Sequence, residues 1–170
     1  YHVGELVQVD LMFLASPRNT AQHIHLEGGF NYLVVAVDTF TRYLQVIPVK
    51  TKGAIEVALA LDAIVKRLRD AYYGGLSHYP FKLLADSGTE FSQARISEKI
   101  KNCSLLRSKS KHGASIAERF ILEIRNKIRV MKGGHSVTDL TLRELKQVVA
   151  TINSGPKSTV SSQGYSATEL

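Results

Sequence analysis

Leu83-Leu84-Ala85-Asp86-Ser87-Gly88-Thr89-Glu90-Phe91 is an apolar run that ends in an acid, followed by a small-residue turn and an aromatic. So short a run, closed by Ser-Gly, predicts a buried strand that delivers Asp86 at its carboxyl end, on the rim of a sheet. Two further acids occupy comparable places. Val7-Gln8-Val9-Asp10-Leu11 predicts a strand with Asp10 inside it, and Ser115-Ile116-Ala117-Glu118-Arg119-Phe120 a helix with Glu118 in its first turn. An acid in mid-strand is costly to bury unless it is paired, hydrogen-bonded or bound to metal. Carboxylates from two strands and a helix suit a hard cation such as Mg²⁺ or Mn²⁺, which takes oxygen ligands and keeps positions open for water and phosphate. Two such ions about 3.5–4 Å apart activate a hydroxyl nucleophile and stabilise the leaving oxygen of a phosphoryl displacement. In that arrangement Asp10 bridges, Asp86 completes one ion and Glu118 the other.

Each acid also has an ordinary structural reading. Asp10 also fits a hydrogen-bonded sheet residue, and Asp86 a cap for the Ser87-Gly88 turn. Ser115-x-x-Glu118 has the form of a capping box, which accounts for the glutamate without a metal. Glu90, Asp38 and Glu123 are rival ligands, with Glu123 on the opposite flank of the helix, four residues after Arg119.

Around these acids the chain reads as alternating elements. Leu6 to Leu14, Asn31 to Asp38 and Tyr43 to Val49 predict three antiparallel strands, with Ala15 to Phe30 as an enlarged hairpin connection. Val57, Leu61, Ile64, Val65 and Leu68 predict a helix from Ala54 to Leu68, after which Phe81 to Asp86 returns as a strand, the strand–helix–strand order favouring a parallel pair joined by a right-handed crossover. A short helix from Ser92 to Lys101 and a short strand at Ser104-Leu105-Leu106 follow. Ser115 to Met131 carries Ala117, Phe120, Ile121, Ile124, Ile128 and Met131 on one face, stopped by Gly133-Gly134. Thr141-Leu142-Arg143-Glu144 predicts a capping box opening a last helix to about Asn153, followed by a tail with one terminal turn.

The totals exclude several classes. With 170 residues, 44% hydrophobic, the chain is long enough for a real core and is read as one domain, 1–170. No apolar run approaches the roughly 20 residues of a membrane span, and the N-terminus lacks the features of a secretion signal, so an intracellular or virion-internal setting is expected. Tyr1 is not an initiator methionine, so the domain is read as a fragment of a longer protein. One cysteine, Cys103, rules out an internal disulfide. The net charge of +7 is concentrated: nine basic residues between Lys101 and Lys132 face only Glu118 and Glu123, which accounts for the whole excess. A positive patch beside an acidic site implies a polyanionic partner bound through its phosphates. Lys109, Lys111 and His112 in a basic loop, and Arg125 and Arg129 within about 20° of Glu118 around the helix, are the candidate contacts to those phosphates.

Val9-Asp10-Leu11, Val37-Asp38-Thr39-Phe40-Thr41-Arg42-Tyr43, Asp86-Ser87-Gly88-Thr89-Glu90-Phe91 and Ile116-Ala117-Glu118-Arg119-Phe120, in this order, resemble the catalytic core of retroviral-type integrases, as does the closing Gly164-Tyr165-Ser166-Ala167-Thr168-Glu169-Leu170. The Glu-Arg-Phe and Asp-x-Gly-Thr-Glu-Phe forms look most like integrases of Maverick/Polinton elements and virophages. The resemblance implies an α/β, ribonuclease-H-like fold, a five-stranded mixed sheet flanked by helices. It further implies two Mg²⁺ or Mn²⁺ ions per active site, trimming and joining of double-stranded DNA ends, a homodimer or higher oligomer, and action in the host nucleus or a virion. Two departures stand out. Asp86 and Glu118 are separated by 31 residues, fewer than usual in the family, whereas Glu123 would give 36. Ile121 stands where related elements often have asparagine. Two alternatives remain open: a decayed integrase that only binds DNA or protein, and a simple ribonuclease-H-like nuclease.

Overall fold

The computed structural model describes residues 2–15, 22–75, 79–86, 88–108 and 114–155. Its centre is a five-stranded sheet in the order β4-β3-β1-β5-β6, made of β1 (Val7–Phe13), β3 (Tyr32–Asp38), β4 (Leu44–Val49), β5 (Phe81–Ala85) and β6 (Cys103–Arg107). β1, β3 and β4 run antiparallel, and β5 and β6 add parallel to β1 on its other side. This is the mixed sheet expected from the sequence. The segment between β4 and β5 crosses over β3 and β1, so the two strands it joins share a direction but do not form the pair expected of them: β5 pairs with β1 instead.

β1 alternates between two cores. Val7, Val9 and Leu11 face α1 (Ala54–Tyr73) and α2 (Gln93–Lys99), packing with Leu61, Ile64, Leu83 and Phe91. Met12 and Leu14 belong to the second core, with Ile124 and Ile128 of α3 (Ser115–Met131) and Leu145, Val148 and Ile152 of α4 (Leu142–Ser154). Asp10 shares a face with Met12. α3 spans its predicted range, and the Thr141–Glu144 capping box of α4 is formed at both of its hydrogen bonds.

Two expectations fail. α1 continues to Tyr73 instead of ending at Leu68. Its added turn is held by Arg69, buried with its guanidinium over the Phe81 ring and donating to the carbonyls of Tyr79 and Lys101 at 2.9 and 2.7 Å. The described part of the connection before β3 contains a strand, β2 (His23–Leu26), paired in parallel with β7 (Val137–Leu140) in a separate two-stranded sheet. Alternation in both is clean, with Ile24, Leu26, Thr138 and Leu140 turned inward. The tail beyond Gly155, including its expected turn, lies outside the described residues.

Candidate active site where β1 and β5 part

β1 and β5 are paired at Val7–Leu83 and Gln8–Leu84, and the ladder stops there. Counting two residues on from the last pair gives Asp10 on one strand and Asp86 on the other. The two acids therefore stand level where the β1–β5 pairing stops, Asp86 just past the carboxyl end of β5 and Asp10 midway along β1, and the carboxyl end of a parallel strand is a usual place for a ligand. α3 lies over the same face of β1, beginning at Ser115, so Glu118 enters from above in its first turn.

The electrostatics tie these side chains together. The Asp10 carboxyl is pushed up from the ordinary 3.8 to about 6, first by burial, against the Leu11 N–H that donates to its Oδ1 at 2.8 Å. The charges of Asp86, Glu118 and Glu90 then raise it further, in that order. All four acids are half-buried. Glu123 does not contribute at Asp10. Asp38 is committed elsewhere: 1% exposed, its Oδ1 accepts from Gly4 N at 2.8 Å, and its Oδ2 from the N–H and hydroxyl of Thr41 at 2.8 and 2.9 Å.

The loop after β5 is fixed by a residue that sequence reasoning did not single out. Arg107, opposite Ala85 in the β5–β6 register, donates to the Gly88 carbonyl at 2.8 Å and to the Phe91 carbonyl, while Phe91 is buried in the core. A Cβ on Gly88 would lie 2.5 Å from Glu90 Oε1, so glycine at this position lets the Glu90 carboxylate fold back over the loop. Gly88 N also donates to Asp86 Oδ1 at 3.4 Å.

The capping-box reading of Glu118 fails because Ser115 is already inside the helix. The N-cap residue is Ala114, which offers no side-chain acceptor. The acceptor comes instead from Gln8 of β1, whose Oε1 receives the N–H groups of Ile116 and Ala117 at 2.8 and 3.3 Å. A polar residue two positions before Asp10, in a strand otherwise lined with apolar neighbours, was the available signal.

The basic candidates divide. Arg129 is exposed in the last turn of α3, about 16 Å along the axis from Glu118. Arg125 is half-buried and donates to the Phe13 carbonyl at 2.7 Å and to Gln22 Oε1 at 3.5 Å, tying α3 to the end of β1. Burial lowers its pKa. Lys109, Lys111 and His112 lie outside the described residues.

Among the described residues, no three His, Cys, Asp or Glu side chains are gathered closely enough to hold a metal ion as they stand. The donor set itself suits a hard divalent cation: it is all oxygen, it is reachable from solvent, and its negative charges repel at Asp10, which a cation would relieve. An apolar groove of about 710 Å³ along β4, between α1 and α4, contains none of these acids, so cavity size does not lead to them. No helix among the described residues is long and apolar enough to cross a membrane.

No protein-family model matches the sequence, and no curated protein sequence matches it significantly. Among solved structures the fold is similar to the catalytic core domain of BIV integrase, with a TM-score of 0.64 at 16% identity, over 98% of this chain and 92% of that one. The shared architecture is the ribonuclease-H-like one, a mixed five-stranded sheet flanked by helices.

Proposed function

We propose that this domain is the catalytic core of a DNA integrase, acting by metal-dependent phosphoryl transfer on the ends of an element's DNA and on a target duplex. What supports the reading is that Asp86, just past the end of β5, and Glu118, in the first turn of α3, lie near enough for their charges to act on Asp10 in the middle of β1. Asp10, Asp86 and Glu118 would hold Mg²⁺ or Mn²⁺, which supplies activation of a hydroxyl nucleophile and stabilisation of the leaving oxygen. Glu90 is a fourth carboxyl in reach of Asp10 and adds to the field that attracts a cation.

The chain's own residues set the conditions for that chemistry. Asp10 holds a proton below about pH 6 in the metal-free domain and must release it to act as a ligand. Arg107 keeps the loop after Asp86 in place through the Gly88 and Phe91 carbonyls. Arg129, with Lys109, Lys111 and His112, holds DNA phosphates without reading bases. Arg125 serves mainly to seat α3. Joining two DNA ends to one target calls for more than one copy of the domain. The Glu-Arg-Phe and Asp-x-Gly-Thr-Glu-Phe strings favour an element of Maverick/Polinton or virophage type.

The test is strand transfer by the purified domain with a double-stranded DNA end, set against cleavage of an RNA–DNA hybrid, each with and without Mg²⁺. Mg²⁺-dependent joining of the DNA end is expected. Activity confined to the hybrid would make the domain a ribonuclease-H-like nuclease, and salt-sensitive DNA binding with no metal-dependent chemistry would leave a binding module.

A further inference from the structure

Gln8 is 6% exposed, two residues before Asp10 and on the same face of β1. The Ile116 and Ala117 amides it receives belong to the first turn of α3, where N–H groups have no carbonyl partner inside the helix. A strand side chain thus does the work that a serine or aspartate at the N-cap ordinarily does. What differs is the attachment. A cap supplied by the helix itself stabilises the helix and says nothing about where the helix sits. Gln8 binds the start of α3, 108 positions further along the chain, to the strand that bears Asp10.

The chemistry of the side chain fits this task. Its oxygen is a neutral acceptor, so it satisfies two amides without adding another negative charge to a group of four carboxyls that already repel at Asp10. Glu118 follows the capped amides directly, at the next position of the helix. Movement of that turn away from β1 therefore carries Glu118 away from Asp10.

We propose that Gln8 is a positioning residue that, by fastening the first turn of α3 to β1, sets the separation of the Glu118 and Asp10 carboxyls. Its catalytic meaning rests on the integrase reading; its geometry does not. Gln8→Met keeps the side-chain volume and removes the acceptor, whereas Gln8→Glu keeps the acceptor. Three measurements decide the matter: amide hydrogen exchange at Ile116 and Ala117, calorimetric titration with MnCl₂ alone, and kcat with KM for a DNA end.

In Gln8→Met, exchange at both amides should quicken while that at Ile124 stays slow. Mn²⁺ affinity should fall by about tenfold, the range usual for residues that orient metal ligands, and kcat should fall with the DNA KM unchanged. Gln8→Glu should restore the amide protection. Unchanged exchange in Gln8→Met overturns the tether, and quickened exchange with unchanged Mn²⁺ affinity reduces Gln8 to a helix cap. A wild-type domain without Mn²⁺ affinity would refute the integrase reading instead. In that case a crystal structure of Gln8→Met still scores the proposal, and an Asp10–Glu118 separation equal to the wild type's overturns it.

Discussion

Replacing Asp10 with asparagine should abolish activity and yet make the metal-free protein more stable. The carboxyl is raised from 3.8 to about 6, chiefly by burial and further by three neighbouring negative charges. At about 1.4 kcal/mol per pH decade, keeping it ionised at neutral pH costs the fold at most about 3 kcal/mol. Solvent at the sheet rim screens part of this, leaving about 1–2 kcal/mol. The sign follows from linkage: the folded state holds the proton more tightly than the unfolded one, so this group's contribution is fully favourable below about pH 3.8 and is lost as pH rises through about 6. Asparagine keeps the Oδ1 acceptor for the Leu11 N–H and carries no charge.

For a chain of this size, thermal unfolding in EDTA should show Asp10→Asn melting about 4 °C above the wild type at pH 7.5, with the gap closing towards pH 4. Adding Mg²⁺ should invert the order, because ligand binding raises the wild-type midpoint and leaves the variant's nearly unmoved. If the variant melts below the wild type at pH 7.5, or if the gap does not depend on pH, then Asp10 is not an acid held ionised against burial and repulsion.

Asp86→Asn should eliminate Mg²⁺-dependent strand transfer with an unchanged circular dichroism spectrum; retained joining would remove Asp86 from the mechanism. Glu118→Gln should do the same while Glu123→Gln keeps substantial activity, and the opposite pattern would move the third ligand to the other flank of α3. Arg125→Ala should lower the melting temperature by several degrees, since a charge-assisted hydrogen bond worth about 1.5–3 kcal/mol to the Phe13 carbonyl is lost. Arg129→Ala should leave melting unchanged and reduce the salt dependence of DNA binding by about one counterion. Arg107→Ala should expose the chain around Gly88 to limited proteolysis with little change in global stability, because it frees two loop carbonyls and leaves Phe91 buried.

The large sheet, α3 and α4 were legible because each writes its own pattern locally: six apolar residues on one side of α3, a Thr-x-x-Glu start for α4, and alternation or continuous apolar runs in β1, β3 and β5. β2 and β7 were not. His23-Ile24-His25-Leu26 and Val137-Thr138-Asp139-Leu140 are four residues each, half polar, and each needs a partner more than a hundred positions away, which no window of sequence contains. The last turn of α1 was hidden for a related reason. Arg69 reads as a surface residue, and only the carbonyls of Tyr79 and Lys101 together with the Phe81 ring make its burial favourable. At the site, sequence pattern offered Asp10, Asp86 and Glu118 as candidates but could not separate Glu118 from a capping residue. That choice depended on which residue precedes the helix, and Ala114 leaves the capping to Gln8. Nor could it reveal that Asp38 is locked by Gly4 and Thr41.

Because β1 divides two apolar cores instead of covering one, the strand that bears Asp10 is braced from both sides and should be among the last segments to exchange its amides during heating. α3 is packed on one side only, with exposed Leu122 and Val130 on the other. Partial melting of α3 would then displace Glu118 and leave the two aspartates in place, so that the three-acid arrangement is lost before the protein unfolds. If the domain is the proposed integrase core, a mild rise in temperature should act as a reversible brake whose onset tracks the fraying of one helix.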